Sequence, residues 1–249
     1  MFDNFPKTRP PLPKEIQQLY SAHYKSNREG QTTASSLAQR MESWLHKQVA
    51  SDVANLQNPT KGTLELGAGT LNQLRYEPEV HPYDIVEPFT DLYKCSPLLG
   101  KVRNIYSDIS EIPGNCCYDR ITSVATLEHV CNLPEVIAQS GLLLAENGVF
   151  RASVPSEGTL LWTLGWKLTT GLEFKLKHGL DYGLLMQHEH VNTAEEIEEV
   201  LEYFFKGIKC KVFGLSKSIS LYRYYECHNP RIDRCREFLT FKAAAAKHN

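Results

Sequence analysis

The sequence predicts a doubly wound α/β fold: a mostly parallel, seven-stranded sheet with helices on both faces, N-terminal helices and an inserted cap. Three observations carry that prediction. Short apolar runs alternate with helix-length amphipathic stretches from residue 62 to residue 225. The first run, TLEL at 63–66, breaks into the glycine turn Gly67-Ala68-Gly69. A second short run at 84–86 then delivers a carboxylate, Glu87, about twenty residues after the first glycine.

The elements follow in order. Residues 1–13 carry four of the 13 prolines and read as extended chain. Ile16, Leu19, Tyr20 and Tyr24 suit a short helix over 14–25. A second helix over 34–54 has Leu37, Met41, Trp44, Leu45, Val49 and Val53 on one stripe, with Thr32 or Thr33 to cap it. Both precede the first strand and are expected to cover one end of the sheet. Strand one is 63–66, and the helix after the glycine turn is cut short by Pro78 and Pro82. Strands two, three and four read as 83–86, 102–106 and 120–125. The next helix has Asn132 as its cap and Pro134 in its first turn, and it stops at Asn147-Gly148. Strand five is 149–154.

The segment 156–190 is too long for a simple connection and reads as an inserted cap. A helix over 192–206 follows, with Thr193 and Glu196 as a capping box and Gly207 as its stop. The last two strands are 209–214 and 220–225; as a hairpin, one of them must run antiparallel. The C-terminal KAAAAKHN reads as a fraying helix end. Domain organisation is thus a helical extension over 1–58 and an α/β domain over 59–249.

Composition narrows the function classes. A chain of 249 residues with 42% hydrophobic and 22% charged content builds a large core without a disulfide or metal staple. A net charge of −2 offers no basic face for nucleic acid. Lys175, Lys177 and His178 cluster locally, which a solvated loop explains. No apolar run reaches a membrane-spanning length, and the N-terminus has no basic-then-apolar leader, so a cytoplasmic protein is expected. The seven cysteines lack CxxC spacing and are expected to be reduced thiols. Cys116-Cys117 reads as a loop pair, and Cys227, His228 and Cys235 do not make a zinc site.

The glycine turn carries the chemistry. Without a Cβ, Gly67 and Gly69 let the backbone turn sharply and let a ligand approach it closely. A carboxylate at Glu87 suits two neighbouring ribose hydroxyls, so an adenosine-containing cofactor is the first expectation. Leu71 stands where this loop commonly has a third small residue, which weakens an NAD reading, since that fingerprint opens a full helix.

The order of LELGAGT (64–70), VEP (86–88), SDI (107–109), SVATLEHV (123–130) and the strand GVFRASVP (148–155) resembles the class I S-adenosylmethionine (SAM)-dependent methyltransferases, over roughly residues 60–225. The resemblance implies a Rossmann-like fold and SAM as cofactor. It implies that Glu65, Gly67, Ala68 and Gly69 line the methionine and ribose portion, and that Glu87, followed by Pro88, holds the ribose hydroxyls. Asp108 and Ile109 would sit beside the adenine. Thr126, Leu127 and the Glu128-His129 pair would border the sulfonium and the acceptor. VPSEG, LGWKLTTGL and GLDYGLLMQHEHVN further look like methyltransferases of glycan biosynthesis, which implies a small-molecule or glycan acceptor.

A hydroxyl acceptor needs a base, and three histidines are candidates. His129 reads either as a base or acceptor contact, or as a structural cap onto the next helix. His188 and His190 flank Glu189; one of them reads as an acceptor-side base oriented by Glu189 or Asp181, or both as helix-start packing. No metal site is assigned: two histidines with Asp181 or Glu128 have no ligand spacing behind them. Tyr20, Tyr24, Asn27 and Arg28 read either as a lid, with Arg28 pairing the cofactor carboxylate, or as an ordinary helix end. Trp162, Trp166 and Leu168 read as a hydrophobic cluster inside the cap rather than a sugar-stacking surface. The expected activity is O-methylation of a small molecule or glycan. The alternatives are a module that binds the cofactor without catalysis, and an NAD-dependent oxidoreductase.

Overall fold

The computed structural model describes residues 2–14, 16, 17, 19, 36–54, 62–79 and 81–246. Seven strands form one sheet: β1 (Thr63–Leu66), β2 (Tyr83–Val86), β3 (Asn104–Tyr106), β4 (Tyr118–Val124), β5 (Leu144–Pro155), β6 (Phe205–Gly214) and β7 (Ser220–Pro230). Their order is β3-β2-β1-β4-β5-β7-β6. The first five run parallel, and β7 is antiparallel to both β5 and β6. The expected hairpin is therefore present. Chain order reverses at β1, which opens a crevice between the carboxyl ends of β1 and β4.

Strand alternation gives the sheet two different faces. Leu64, Leu66, Ile121, Phe150, Ala152 and Val154 join the main core with residues of α2 (Leu133–Leu143) and α6 (Ala194–Phe204). Cys235 of α7 (Ile232–Ala246) belongs to the same core. Thr63, Glu65, Arg120, Thr122, Arg151 and Ser153 point the other way and are also buried. Here α1 (Ser36–Val49) covers them, contrary to the expectation that it would close one end of the sheet. The reason lies in its C-terminal carbonyls. Arg151 donates to the carbonyls of Val49 and Gln48, Arg120 donates to Val49, and Ser153 donates to Leu45. Buried cations thus satisfy helix-end acceptors that otherwise need water. Arg120 also holds Glu77 at 2.8 Å and Asp52 at 2.9 Å.

Several boundaries differ from the sequence reading. Helix α2 stops at Leu143, because Leu144 turns extended and pairs with Tyr118; Asn147-Gly148 lies inside β5. Asn132 precedes that helix without a side-chain cap hydrogen bond. Gly207 belongs to β6, and α6 already ends at Phe204. The capping box of Thr193 and Glu196 is present. All seven cysteines are free thiols, with Cys227 and Cys235 in the core.

The segment 156–190 is helical: α3 (Leu160–Trp166), a π turn (Lys167–Gly171), α4 (Leu172–His178) and α5 (Tyr182–Glu189). The N-terminal stretch lies against it, with Leu12 and Ile16 packing on Leu185. No helix among the described residues is long and apolar enough to cross a membrane.

Candidate active site

The glycine turn is shaped by its neighbour across the crevice. Gly67 (φ +68°) and Gly69 (φ +51°) are left-handed, and the Gly67 N–H donates to Val86. A Cβ on Gly67 would lie 2.3 Å from Thr126 Cγ2, so the loop after β4 seals against the turn after β1. Leu127 is fully buried behind that contact, and Ala68 is buried in the turn itself. Leu71 is fully buried and left-handed (φ +65°). It plugs a second apolar cluster with Leu74, Tyr83, Ile85 and Tyr93, which explains a large residue at that position. The helix after it is a single 3-10 turn, Asn72–Arg75, as the shortened element implied.

The acidic residues line up at the strand ends. Glu87 is buried, and its carboxylate accepts from the Gly69 N–H at 2.7 Å and the Phe89 N–H at 3.0 Å. A carboxylate has about four lone-pair sites, so capacity for two hydroxyls remains. Pro88 directly follows it and is exposed. Asp108 is exposed at the end of β3 and caps a 3-10 turn through the Ser110 N–H, while the Ile109 side chain sits in the main core. Glu65 is buried on the polar face and accepts from the Tyr83 hydroxyl at 2.8 Å. Burial raises its pKa to about 8, with nearby Glu77 and Glu87 adding to the rise. This cradle of left-handed glycines, flanked by acids at three strand ends, fits an adenosyl cofactor.

Beyond Thr126 the chain makes a 3-10 turn, Leu127–His129, and meets the end of the cap. The His129 and His190 rings pack edge to face, 4.9 Å apart. Ligand-capable atoms of Glu128, His129 and His190 lie within 4.8 Å of one another. Each ring has a fixed tautomer, because His129 Nδ1 donates to the Glu189 carbonyl and His190 Nδ1 to Glu157, both at 2.8 Å. Trp162 roofs the pair, stacking on His190 and donating its indole N–H to Glu157 at 2.6 Å. Tyr222 packs against Trp162; burial and the Glu128 charge push its hydroxyl up to about 12.

Charge balance around His190 is decided by carboxylates. Burial works to lower its pKa, but the Glu157 hydrogen bond and the charges of Glu128, Glu157 and Glu189 outweigh burial, so the value is raised. Glu157 is correspondingly lowered: burial opposes its charge, and His190 and Trp162 more than compensate.

The structure brings together some of the expected histidines and separates others. His188 lies in the last turn of α5, where its Nδ1 meets the Pro10 carbonyl at 2.7 Å, so it does not join the His129–His190 pair. The helical backbone turns the two side chains apart. The carboxylate that orients His190 is Glu157, not Glu189 or Asp181. Glu189 accompanies His129, and Asp181 caps the start of α5. Leu168 faces outward, leaving Trp162 and Trp166 in separate aromatic contacts. Tyr24 and Arg28, with the rest of the expected lid, lie outside the described residues.

Three contributors escaped the sequence reading. Glu157 was visible only as part of VPSEG. Arg9 donates to the carbonyls of His129, His188 and Glu189, tying the two histidine-bearing segments together from a proline-rich stretch. Asn192, fully buried, donates to the carbonyls of Leu127 and Val130. An open cleft of about 540 Å³ lies beside this cluster, lined by Lys7, Thr8, Pro10, Gln187, His190 and Val191.

No protein-family model matches the chain. No curated protein sequence matches it either. Solved structures do. The plantazolicin methyltransferase BpumL, in complex with a pentazolic desmethylPZN analog and SAH, superposes with a TM-score of 0.59 at 14% identity, over 86% of this chain and 93% of that one. The CurJ carbon methyltransferase gives 0.56 at 19% identity, over 87% and 61%. A SAM-dependent methyltransferase from Thermotoga maritima, described as a possible histamine N-methyltransferase, gives 0.53 at 10% identity, over 86% and 98%. These superpositions span enzymes of unlike acceptors, and the chain, with its seven-stranded sheet, has the Rossmann-like fold of SAM-dependent methyltransferases.

Proposed function

We propose that this protein is a SAM-dependent methyltransferase acting on a hydroxyl of a small molecule or glycan, with His190 as general base and residues 156–190 as the acceptor cap. The observation that carries this reading is the His190–Glu157 pair, joined to the glycine turn through His129 and the Thr126–Gly67 contact. SAH, the product that SAM leaves, is bound in structures of the same fold and supports the cofactor assignment. Gly67, Ala68 and Gly69 would cradle it, Glu87 would hold its ribose and Asp108 its adenine. When bound, it supplies a methyl group on a good, neutral leaving group.

The chain's own residues then have two tasks. The first is alignment of the acceptor oxygen with the methyl group, which the cap and the Arg9-pinned histidine segments serve. The second is removal of the hydroxyl proton as attack proceeds. His190 accepts it at Nε2, and Glu157 stabilises the imidazolium that results. Among the comparison structures one enzyme is a carbon methyltransferase, and the oxygen specificity here rests on the histidine–carboxylate pair.

Calorimetric titration with SAM, SAH and NAD, followed by labelled-methyl transfer to nucleotide sugars, oligosaccharides and phenols, tests the reading. Binding of SAM and SAH but not NAD is expected, with transfer lost in H190A. Absence of SAM binding would sink the assignment, and binding without transfer to any acceptor would favour a non-catalytic module.

A further inference from the structure

The helical run 160–178 presents a row of leucines to solvent. Leu160, Leu164, Leu168, Leu172 and Leu176 are between 44% and 79% exposed. Their spacing of four overshoots a helical turn by about 40° per step, which would spread a long row around the helix. The π turn at Lys167–Gly171 is wider and rotates less per residue, so it counters that drift in mid-run. Trp166, Lys167, Gly171 and Leu172 all keep right-handed helical backbone, so the run is continuous until left-handed Gly179 ends it. The β6–β7 turn extends the patch. Its Leu215 and Ile219 are exposed, and neighbouring Ser220 bonds Ser156 and Thr159 at the start of the run.

Exposed apolar surface of this extent on an otherwise well-buried chain marks a docking face. Its charge identifies the occupant. Exposed Lys167, Lys175 and Lys177 line the run against one acid, Glu173, in a protein whose net charge is −2. A second copy of this chain would set that row of lysines against itself. An anionic lipid surface complements it, with leucines entering the acyl boundary and lysine ammonium groups meeting headgroup phosphates. We infer that residues 160–178 dock this protein peripherally on a membrane surface that carries anionic phospholipid. The same run carries Trp162 over His190 on the side away from the leucines, so docking holds the histidine cluster beneath the membrane-bound helix. On the proposed methyl-transfer reading, the acceptor is then a lipid-linked or amphipathic hydroxyl compound; the docking itself does not depend on that reading.

The test is flotation of the full chain with phosphatidylcholine vesicles, with and without phosphatidylglycerol, alongside sedimentation of the protein alone. Binding is expected only with phosphatidylglycerol, weakening as salt rises. L168Q/L176Q replaces two exposed side chains, which spares the fold, and is expected to weaken binding roughly tenfold or more. K175E/K177E is expected to weaken it by roughly the same factor. Calorimetric SAM binding, unchanged in both variants, reports the cofactor site separately. Failure of the wild type to float, or equal flotation of wild type and L168Q/L176Q, overturns the proposal. So does a wild-type dimer that L168Q/L176Q converts to monomer, which would assign the patch to a second copy.

Discussion

The Nδ1 of His190 lies 2.8 Å from a carboxylate oxygen of Glu157, although 33 residues and most of the cap separate them in the chain. This pair fixes the imidazole tautomer and raises its proton affinity.

A pH profile follows from that sign. Because the pKa of His190 is raised above 6.5, the neutral ring that accepts a proton is populated only above the raised value, and kcat/KM should climb through it. In E157Q the largest raising influence is lost, so the rising limb should move to lower pH while the plateau falls. H190A should lose about 10²–10⁴-fold in kcat with the Kd for SAM little changed. An unmoved limb in E157Q would remove Glu157 as the orienting group.

Gly67→Ala separates backbone strain from crowding. The new Cβ meets Thr126 at 2.3 Å, and the φ of +68° disfavours any side chain. We expect a loss of about 1–3 kcal/mol in chemical denaturation and at least about tenfold weaker SAM binding. In G67A/T126A the two shortest contacts go, but the Cβ of residue 126 stays 2.9 Å from the new one and the backbone strain is unchanged. Only part of both losses should therefore return.

Arg9→Ala should act on catalysis without touching the cofactor. The guanidinium holds the carbonyls of His129, His188 and Glu189, all on the proposed acceptor side. Loosening both histidine segments should lower kcat roughly tenfold or more, given how steeply rates depend on alignment. Calorimetry should give the wild-type SAM affinity; a parallel loss there would show that Arg9 merely supports the fold.

Glu65 predicts an unusual pH dependence of stability. Its folded pKa of about 8 lies above the ordinary carboxyl value of 4.5, so between those values the folded protein holds a proton that the unfolded chain has lost. Stability attributable to this group therefore falls as pH rises from 4.5 to 8, by about 1.4 kcal/mol per unit at most. Glu65→Gln should remove that slope. Urea denaturation of both proteins at pH 5 and pH 8 checks it, and the E65Q advantage should be present only at the higher pH.

Arg120→Met should be among the most damaging single changes. It strips Glu77 of its cation inside the protein and leaves the Val49 carbonyl with one donor fewer. A cost of about 3–5 kcal/mol is expected in denaturant titrations. Adding E77Q should recover part of it, because the stranded charge is then gone.

Much of the architecture was legible in the chain because strands and helices write their period locally. TLEL, YDIV and GVFRASVP alternate or run apolar as buried strands must, and Thr193-x-x-Glu196 announces its helix by a reciprocal pair of hydrogen bonds. Asn147-Gly148 misled because an Asn-Gly pair suits a helix stop and a bend within β5 alike; cross-strand pairing of Leu144 with Tyr118 decided between them. Likewise, HEH can be read as extended or helical. Only the packing of α5 against the N-terminal segment turns His188 toward Pro10 and His190 toward Glu157.

By itself, then, the sequence determined the succession of strands along the chain, the glycine turn and the acids at Glu87 and Asp108, since each lies within one or two adjacent elements. The tertiary structure alone decided which residues meet at the candidate site. Glu157 reaches His190 from the end of β5, Arg9 reaches both histidine segments from the N-terminus, and Thr126 closes on Gly67 from β4. Those contacts join residues far apart in the chain, and no local periodicity records which distant loops the sheet will bring to the same end.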